Sequence, residues 1–436
     1  MAIKVDIRVP VGLPVVETAG YIAECEAAGF SGVGVHDHQH SGRDVYLTLA
    51  LAAQCTSKMT LYPATTNPVT RHPGVLASLA HTLEEIAPGR ARLTVGPGYL
   101  AVGNIGRPRA SLETMRQAIL AIRRLLRGET VVFNGTETKL RNISDTPTPI
   151  FMTAAGPRMV ELAGEVADGA LMLVGLHPEM VAAARRRLQA GAERGKRDLD
   201  NFQTIHITPT TIDEDGAAAK RWPQLWFRSD QPYLKYPSDS NLFWLREAGI
   251  HLADDFVPEH ISDSQADAIC DAFGLFGTPQ ECLKRLRRAE TESGVEQVFI
   301  FPTHTQDGGY DMPRAEVEAF RDVIIPGQIV QGRYYPLSRA WERSLALNPN
   351  HPYPVVVAVG HKDVAILVYA AAVGTVHGCF CGRTSVAFPA QPATCDGCDD
   401  SGIGMNQTDG MVLGVHHHHI VLGVTAESLG RTPGGG

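Results

Sequence analysis

Residues 65–73 (TTNPVTRHP) combine hydroxyl groups, an amide, a guanidinium, an imidazole and two prolines in one short segment. A β-type run, Met59 to Ala64, comes before the segment and a helical run, Gly74 to Ile86, comes after it, which predicts a strand-to-helix loop. Such a loop can hold a planar ligand with polar edges, and we expect Thr66 and Asn67 to hydrogen-bond that edge. The same composition is also typical of an ordinary turn, so the loop has to be interpreted together with its neighbours.

Three other predicted strand-to-helix loops carry groups suited to the same ligand. They are residues 36–40 (HDHQH), 96–99 (GPGY) and 154–158 (AAGPR). The last loop opens a helix with small residues and an arginine, so backbone N–H groups and the Arg158 guanidinium can bind a phosphate. His38 is the candidate for proton transfer because histidine titrates near neutral pH, and Asp37 is expected to orient it. A histidine is also often structural, and this chain has 17 of them.

Strands and helices alternate from the N-terminus to about Pro326, with Gly or Pro at the joints. The predicted strands are Ile3–Val9, Gly32–His36, Met59–Ala64, Ala91–Val95, Ile150–Ala154, Gly169–Val174, Gln203–Thr208 and Gln297–Phe301. The predicted helices are Val15–Ala28, Val45–Cys55, Gly74–Ile86, Leu112–Arg127, Arg158–Val166, Glu179–Arg194 and Pro279–Glu292. A doubly wound sheet would show a similar alternation, but eight strand–helix repeats in ~325 residues favour a (β/α)₈ TIM barrel.

The domain organisation follows from where this alternation stops. We expect a barrel domain at residues 1–326 and an extension of unknown fold, rich in Gly and Cys, at residues 327–436. Inside the barrel domain, residues 222–263 are dense in aromatic side chains, although aromatics make up only 7% of the chain. Such an insertion either packs an extra helical layer or covers a substrate beside the catalytic face.

Four cysteines of the extension cluster in sequence, namely Cys379, Cys381, Cys395 and Cys398. Their thiolates are a candidate tetrahedral zinc site, and free thiols on a poorly ordered extension are the alternative. The remaining cysteines, Cys25, Cys55, Cys270 and Cys282, lie on predicted helices, where reduced core thiols are common.

The charge balance favours small-molecule partners. The chain has 39 Lys and Arg against 47 Asp and Glu, a net charge of −8, which gives no basic surface for nucleic acid or for an anionic membrane. No apolar run reaches the ~20 residues of a membrane helix, and the N-terminus enters a strand with no signal-peptide pattern. We therefore expect a cytoplasmic protein with a small-molecule substrate, and we also expect a homo-oligomer.

The four loops, in this order, resemble those of the luciferase-like flavin-dependent oxidoreductases. This TIM-barrel family includes FMN monooxygenases and deazaflavin-dependent reductases of the methylenetetrahydromethanopterin reductase type. The resemblance covers about residues 1–326. It rests on residues 32–38 (GVGVHDH), 66–73 (TNPVTRHP), 89–98 (GRARLTVGPG), 106–108 (GRP) and 154–156 (AAG).

The resemblance implies a cofactor, either an 8-hydroxy-5-deazaflavin coenzyme or FMN, whose ring lies over the third strand loop. It implies a cis peptide bond between Ala64 and Thr65 behind that ring, with Asp37 and His38 near the ring and the substrate. The residues it assigns to cofactor binding are Ala64, Thr65, Thr66, Asn67, Gly96, Ala154, Ala155 and Gly156. Tyr99 stands where relatives often carry a polar or acidic residue, which leaves the substrate open.

The expected function is hydride transfer between the reduced cofactor and a small organic substrate. One alternative is an FMNH₂-dependent monooxygenase that inserts oxygen from O₂, and another is a non-catalytic flavin-binding protein. A third alternative is a barrel enzyme that holds a metal ion at the barrel mouth through His36, Asp37, His38 and His40. That set lacks a second carboxylate at an obvious ligand spacing.

Overall fold

The computed structural model describes residues 2–230, 234–305 and 307–331, and six short strands beyond them. Internal contacts divide the chain into two compact units, Met1–Arg333 and Tyr334–Gly436. The functional boundary at residues 326–327 stays a prediction.

The first unit contains a parallel barrel. Its described strands are β1 (Lys4–Val9), β2 (Gly32–Val35), β3 (Thr60–Pro63), β4 (Leu93–Val95), β5 (Val131–Phe133), β6 (Thr136–Thr138), β7 (Ile150–Ala154), β8 (Gly169–Met172), β9 (Gln203–Ile212), β10 (Leu275–Gly277) and β11 (Gln297–Pro302). The barrel order is β3-β2-β1-β11-β9-β8-β7-β4, with β10 added beside β9, while β5 and β6 form a separate antiparallel hairpin. The TIM-barrel prediction is confirmed, because all eight predicted strands occur at their predicted places.

Backbone contacts between β3 and β4 close the barrel. The bridges Leu61 to Ala91 and Thr66 to Val95 are both parallel. They are held by hydrogen bonds such as that from the Thr66 amide to the Thr94 carbonyl, 3.1 Å long. The last seam of the barrel therefore lies directly under the residue 65–73 loop.

The helices surround the strands, and each of the seven predicted helices recurs within one or two residues of its predicted bounds. The described helices are α1 (Val15–Ala28), α2 (Val45–Cys55), α3 (Pro73–Ile86), α4 (Leu100–Gly103), α5 (Leu112–Leu126), α6 (Pro157–Val166), α7 (Pro178–Gly195), α8 (Gly216–Lys220), α9 (Trp222–Trp226), α10 (Asp239–Glu247), α11 (Asp263–Phe273), α12 (Pro279–Ser293), α13 (Arg314–Ala319) and α14 (Ile325–Gln331). Proline opens α3, α6, α7 and α12, which is favourable because the first helical N–H has no partner inside the helix.

Large side chains fill the barrel interior. Alternate strand residues point inward, and those that pack together are Tyr62, Phe151, Leu171, Ile205, Ile207 and Phe299. Toward the strand ends, the next inward positions hold the small Ala64 and Thr153 as well as the large Leu173 and Phe301. The side chains are therefore small at the ends of β3 and β7 and large at the ends of β8 and β11.

The aromatic insertion has two parts with different contacts. Trp222 is buried and packs on Phe227, Tyr236 and Phe276, with ring centroids 4.7 to 5.1 Å apart, so this part forms an extra layer. Trp244 on α10 instead donates its indole N–H to a loop at the barrel mouth. The packing alternative therefore describes the first part, and α10 is the part that reaches the loop after β7 at the barrel mouth.

The second unit is described only as short strands. They are the antiparallel pairs β12 (Pro354–Ala358) with β13 (Ala365–Tyr369), β14 (Met405–Asn406) with β15 (Gly410–Met411), and β16 (Leu413–Val415) with β17 (His418–Ile420). The zinc prediction at Cys379, Cys381, Cys395 and Cys398 lies outside the described residues. Among the helices that the structure does describe, none combines the length and the apolar character needed to span a membrane.

The buried His206 should make the barrel less stable at acid pH. Burial lowers the pKa of His206 to about 4, and its Nδ1–H donates to the Gly175 carbonyl across 3.0 Å. The unfolded chain takes up this proton near pH 6.5, so the stabilisation is complete above pH 6.5 and falls as the pH drops toward 4, by roughly 3 kcal/mol. His206→Asn keeps a donor for Gly175 without titrating. In this variant the free energy of unfolding, measured with urea, should fall less steeply as the pH drops below 6.5. The same change at the exposed His251 should leave this fall as steep as in the parent.

Candidate active site

The loops after β2, β3, β4 and β7 meet at the carboxyl-terminal mouth of the barrel. The Ala64–Thr65 peptide bond is cis, as the family resemblance implied. Next to it, the Thr66 carbonyl accepts a 2.8 Å hydrogen bond from the Gly96 amide. This contact places the third and fourth strand loops side by side at the seam of the barrel.

The Asp37 carboxylate links the second and third strand loops. Its Oδ2 accepts hydrogen bonds from the Thr66 hydroxyl at 2.6 Å and from Arg71 Nε at 2.9 Å, and its Oδ1 accepts from Arg71 Nη2 at 2.9 Å. Arg71 also reaches Asp44, the N-cap residue of α2, at 2.8 Å. These bonds raise the pKa of Arg71 and fix it as a permanent cation. Asp37 makes no hydrogen bond to His38 among the described residues, because its carboxylate is held by Thr66 and Arg71, and its predicted role beside His38 stays a prediction.

Arg71→Lys should loosen the third strand loop. Lysine cannot reproduce the two-pronged contact with Asp37 while also reaching Asp44, so two charged hydrogen bonds are lost. We expect a loss of about 1 to 3 kcal/mol in the free energy of unfolding and a weaker binding of any ligand that rests on this loop. Urea unfolding and ligand titration measure the two effects separately.

Arg116 provides the matched control. It makes the same kind of two-pronged contact with Glu165, at 2.9 and 2.8 Å, and a third bond to Glu113, on helices remote from the barrel mouth. Arg116→Lys should cost stability and leave ligand affinity unchanged. If both variants change affinity alike, the Arg71 network has no specific part in the site.

Asn67 has one end satisfied and the other free for a ligand. Its Oδ1 accepts from the Val69 and Thr70 amides at 3.1 and 2.8 Å. Its Nδ2 is buried and has no hydrogen-bond partner among the described residues. Thr153 Oγ1, at the end of β7, is likewise buried without a partner in the described part of the chain. A buried donor without an acceptor is costly, which makes both atoms candidates for a ligand contact.

Gly96 lies between these two groups and has to be small. A Cβ at this position would stand 2.9 Å from Thr65 Oγ1 and 3.4 Å from Thr153 Cβ. Gly98, two residues on, has φ +83° and would bring a Cβ within 3.5 Å of Asn67 Cγ. The glycine turn after β4 thus allows the loop after β3 and the end of β7 to approach each other.

The loop after β7 ends at Gly156, the N-cap of α6. Pro157 occupies the first helical position, and no side chain caps this helix end within the described structure. Trp244 Nε1 donates to the Ala155 carbonyl across 2.6 Å, and a Cβ on Gly156 would lie 3.0 Å from Ser240 Oγ. The residues of α10 therefore cover the end of α6 where an anion is favoured by the helix dipole.

His38 is buried and is held from a different side than the sequence predicted. Its Nδ1 lies 2.9 Å from the Tyr310 hydroxyl, and its Nε2 lies 3.4 Å from the side-chain nitrogen of Asn104. Burial and the neighbouring His40 lower the pKa of His38, while Asp37 opposes this shift. His38 is therefore mostly neutral near pH 7 and has one ring nitrogen held closely and one held loosely.

The neighbouring His36 is not arranged as a metal ligand. Its Nε2 accepts a 2.6 Å hydrogen bond from Arg8 Nε, and burial together with the Arg8 charge lowers its pKa well below the ordinary value. Within the described residues, no group of three or more His, Cys, Asp or Glu side chains is placed to hold a metal ion. The arrangement thus gives no support to the metal-enzyme alternative.

Three residues of this site were missed by the sequence reasoning, namely Asn104, Thr153 and Tyr310. The local pattern could have indicated Thr153, because it is two residues after the inward-facing Phe151 and shares its side of the strand. Asn104 and Tyr310 contact His38 from positions 66 and 272 residues away in the chain, which no local pattern reveals. Trp244 lies in the aromatic insertion, for which covering a substrate was one of the two predicted roles.

Known proteins match the barrel unit. The family model described as luciferase-like monooxygenase matches residues 6–297. A 5,10-methylenetetrahydromethanopterin reductase of Methanolobus tindarius is 33% identical over 297 residues, which cover 65% of this chain and 90% of the relative. An F420-dependent glucose-6-phosphate dehydrogenase of Beutenbergia cavernae is 31% identical over 237 residues, 48% of this chain and 70% of the relative.

A solved structure matches the same fold. The structure of coenzyme F420 dependent tetrahydromethanopterin reductase from Methanopyrus kandleri aligns with a TM-score of 0.57 and 23% identity. The alignment covers 75% of this chain and 99% of that structure. It supports the barrel architecture of the first unit.

Proposed function

The chain belongs to the luciferase-like monooxygenase family, and on that premise we propose that it transfers a hydride between a reduced deazaflavin coenzyme and a small organic substrate. The deazaflavin is favoured because a relative at 31% identity is named as an F420-dependent dehydrogenase. When bound, a coenzyme of this type supplies the ring carbon that donates or accepts the hydride. The protein has to bind and orient the reactants and to move a proton.

Two buried polar atoms without partners carry the proposal. Asn67 Nδ2, on the loop after β3, and Thr153 Oγ1, at the end of β7, lie at the barrel mouth near the Gly96–Gly98 turn. A planar ring with carbonyl oxygens along one edge would give both groups an acceptor and remove the cost of leaving them unpaired. FMN and the deazaflavin share this kind of edge, so these two residues support the ring system without choosing between the cofactors.

The remaining cofactor residues fit by their size and their backbone. We assign the ring to Ala64, Thr65, Thr66, Asn67 and Gly96, and the phosphate-bearing end to Ala154, Ala155 and Gly156. The uncapped end of α6 offers a favourable dipole to an anion, and the Arg158 amide is the helix donor left for it, because Pro157 has no N–H and the Met159 amide already donates to the Gly156 carbonyl. In this arrangement Asp37 acts on the cofactor site through Thr66, since its carboxylate holds the Thr66 hydroxyl.

We assign the proton transfer to His38. It lies at the mouth of the barrel beside the loops that we assign to the cofactor, and its lowered pKa keeps the ring neutral near pH 7, which is the form that accepts a proton. In the direction of substrate oxidation the neutral ring takes a proton from the substrate. In the direction of reduction the protonated ring returns it.

Titration of the purified full chain with FMN and with the deazaflavin tests the proposal. We expect tight binding of the deazaflavin, followed by its reduction or oxidation when the correct substrate is added. Tight binding of FMN alone, with oxygen consumption when the flavin is reduced, would instead support the monooxygenase alternative that the family description favours. Binding without turnover across a broad substrate panel would support a non-catalytic flavin-binding protein, and binding of neither cofactor would overturn the assignment.

Homo-oligomer formation and a cytoplasmic location remain predictions. Leu47 and Leu51 support an oligomer, because they lie one turn apart on the outer face of α2 and are 66% and 40% exposed. Light scattering coupled to gel filtration measures the assembly. A monomer across the micromolar range would contradict the expected oligomer.

A further inference from the structure

We propose that Tyr310 is a positioning residue that sets which nitrogen of His38 exchanges the substrate proton. Its hydroxyl oxygen accepts a hydrogen bond from Nδ1–H and so leaves Nε2 for the substrate. The inference rests on the proposed function, in which His38 moves the proton.

The two ring nitrogens of His38 have unequal partners. Nδ1 is 2.9 Å from the Tyr310 oxygen, a normal hydrogen-bond length. Nε2 is 3.4 Å from the amide group of Asn104, which is an exposed residue and can turn away. The loosely held Nε2 is therefore the nitrogen that a substrate can reach.

Tyr310 is fixed by contacts that do not involve His38. The adjacent Gly309 carbonyl accepts a 2.5 Å hydrogen bond from Arg8 Nη2, which anchors the Asp307–Tyr310 turn to β1. A Cβ on Gly12 would stand only 1.8 Å from the Tyr310 carbonyl oxygen, so the loop after β1 packs directly on the Tyr310 backbone. The Tyr310 backbone is thus anchored and its ring packs against the core, which positions the hydroxyl before His38 takes its proton.

One proton moves between the substrate and His38 Nε2 in the proposed step. The lone pair of Nε2 accepts the proton that leaves the substrate, and the ring becomes an imidazolium with a proton on each nitrogen. The Tyr310 oxygen accepts from Nδ1–H before and after the transfer, so no proton moves at that end. The reverse reaction returns the Nε2 proton and restores the same neutral tautomer.

The groups that face His38 set the direction in which the variant will shift its pKa. The titratable and charged groups around it come from its own loop, from the ends of β1 and β2 and from the turn after β11, and they are His40, Asp37, His36, Arg8 and Tyr310. Removing the Tyr310 oxygen takes an acceptor from the imidazolium and alters no formal charge. The pKa of His38 should therefore fall further, by roughly one unit.

The test uses the cofactor-free full chain, so that it does not depend on turnover. NMR spectra of histidine-labelled protein, with the His38 signal identified by its loss in His38→Gln, report the tautomer through the Cδ2 chemical shift. We expect the Nδ1–H tautomer in the parent and a change to the Nε2–H tautomer, with the lowered pKa, in Tyr310→Phe. A parent in the Nε2–H tautomer would overturn the inference, whatever the variant does.

A matched control removes a different tyrosine hydroxyl. Tyr21 is buried on α1, and its hydroxyl has no hydrogen-bond partner within the described structure. Tyr21→Phe should leave the His38 tautomer and pKa as in the parent. An equal shift in both variants would mean that the change in Tyr310→Phe comes from general destabilisation and not from the lost contact with His38, which would contradict the inference.

Activity distinguishes this inference from the proposed function. If the parent binds neither cofactor, the proposed function fails while the tautomer result still stands. If the parent turns over, Tyr310→Phe should move the His38 limb of the kcat profile to lower pH and leave the KM for the cofactor unchanged. An unmoved limb in an active variant would contradict the positioning role alone.

Discussion

His38→Gln is expected to lower kcat by about 100- to 10,000-fold, the usual range for losing a general acid or base. The dissociation constant of the cofactor should stay nearly the same, because the residues that we propose for cofactor binding lie on the other loops. Glutamine keeps the polarity and approximate size of the side chain and cannot exchange a proton. Stopped-flow measurement of the hydride-transfer step, together with a cofactor titration, separates the two quantities.

His40→Gln is the control for that loss. His40 is exposed, and its ring centroid lies 5.9 Å from that of His38. Because His40 contributes to lowering the pKa of His38, its removal should move the His38 pKa upward with little loss of kcat at its optimum. The limb that requires protonated His38 should then extend to higher pH. Equal losses of kcat in the two variants would show that the loop as a whole, and not His38, supports turnover.

The barrel could be predicted from the sequence because its signals are local. Apolar runs with period two, amphipathic runs with period 3.6, and Gly or Pro at each joint recur through the whole first unit. The strand ends were less certain, and β9 continues to Ile212 because it pairs with β10 as well as with β11. The short strand Leu275–Gly277 and the β5–β6 hairpin escaped prediction, since runs of three residues carry no measurable period.

The candidate site was predictable in its loops and less so in its contacts. The family resemblance gave the cis bond at Ala64 and the small residues of the loop after β7. It did not reveal that Arg71 would take up the Asp37 carboxylate, because two arginine prongs outcompete a neutral histidine for a carboxylate. The position of Tyr310 depends on how the last strand loop packs against Gly12, a contact set by the closure of the whole barrel.

Gly156→Glu is expected to weaken cofactor binding by at least about 100-fold, or about 2.7 kcal/mol. The N-terminus of α6 attracts one anion, and a glutamate placed there supplies that anion from the protein itself. The new side chain also has little space, because Ser240 on α10 is 3.0 Å from where its Cβ would stand. The carboxylate thus repels the cofactor phosphate and occupies the approach to it. The fold should persist, since an acidic residue at a helix N-terminus is itself stabilising by ~0.3 to 1 kcal/mol.

Gly20→Glu makes the same exchange of glycine for glutamate at an exposed position of α1, where a Cβ meets no atom within 4 Å. This variant should bind both cofactors as the parent does, which separates the local effect at Gly156 from the added negative charge. Fluorescence titration with FMN and with the deazaflavin measures the affinities, and circular dichroism checks the fold of each variant. If folded Gly156→Glu protein binds its cofactor with the affinity of the parent, the phosphate-bearing end lies elsewhere, and the assignment of Ala154, Ala155 and Gly156 fails with it.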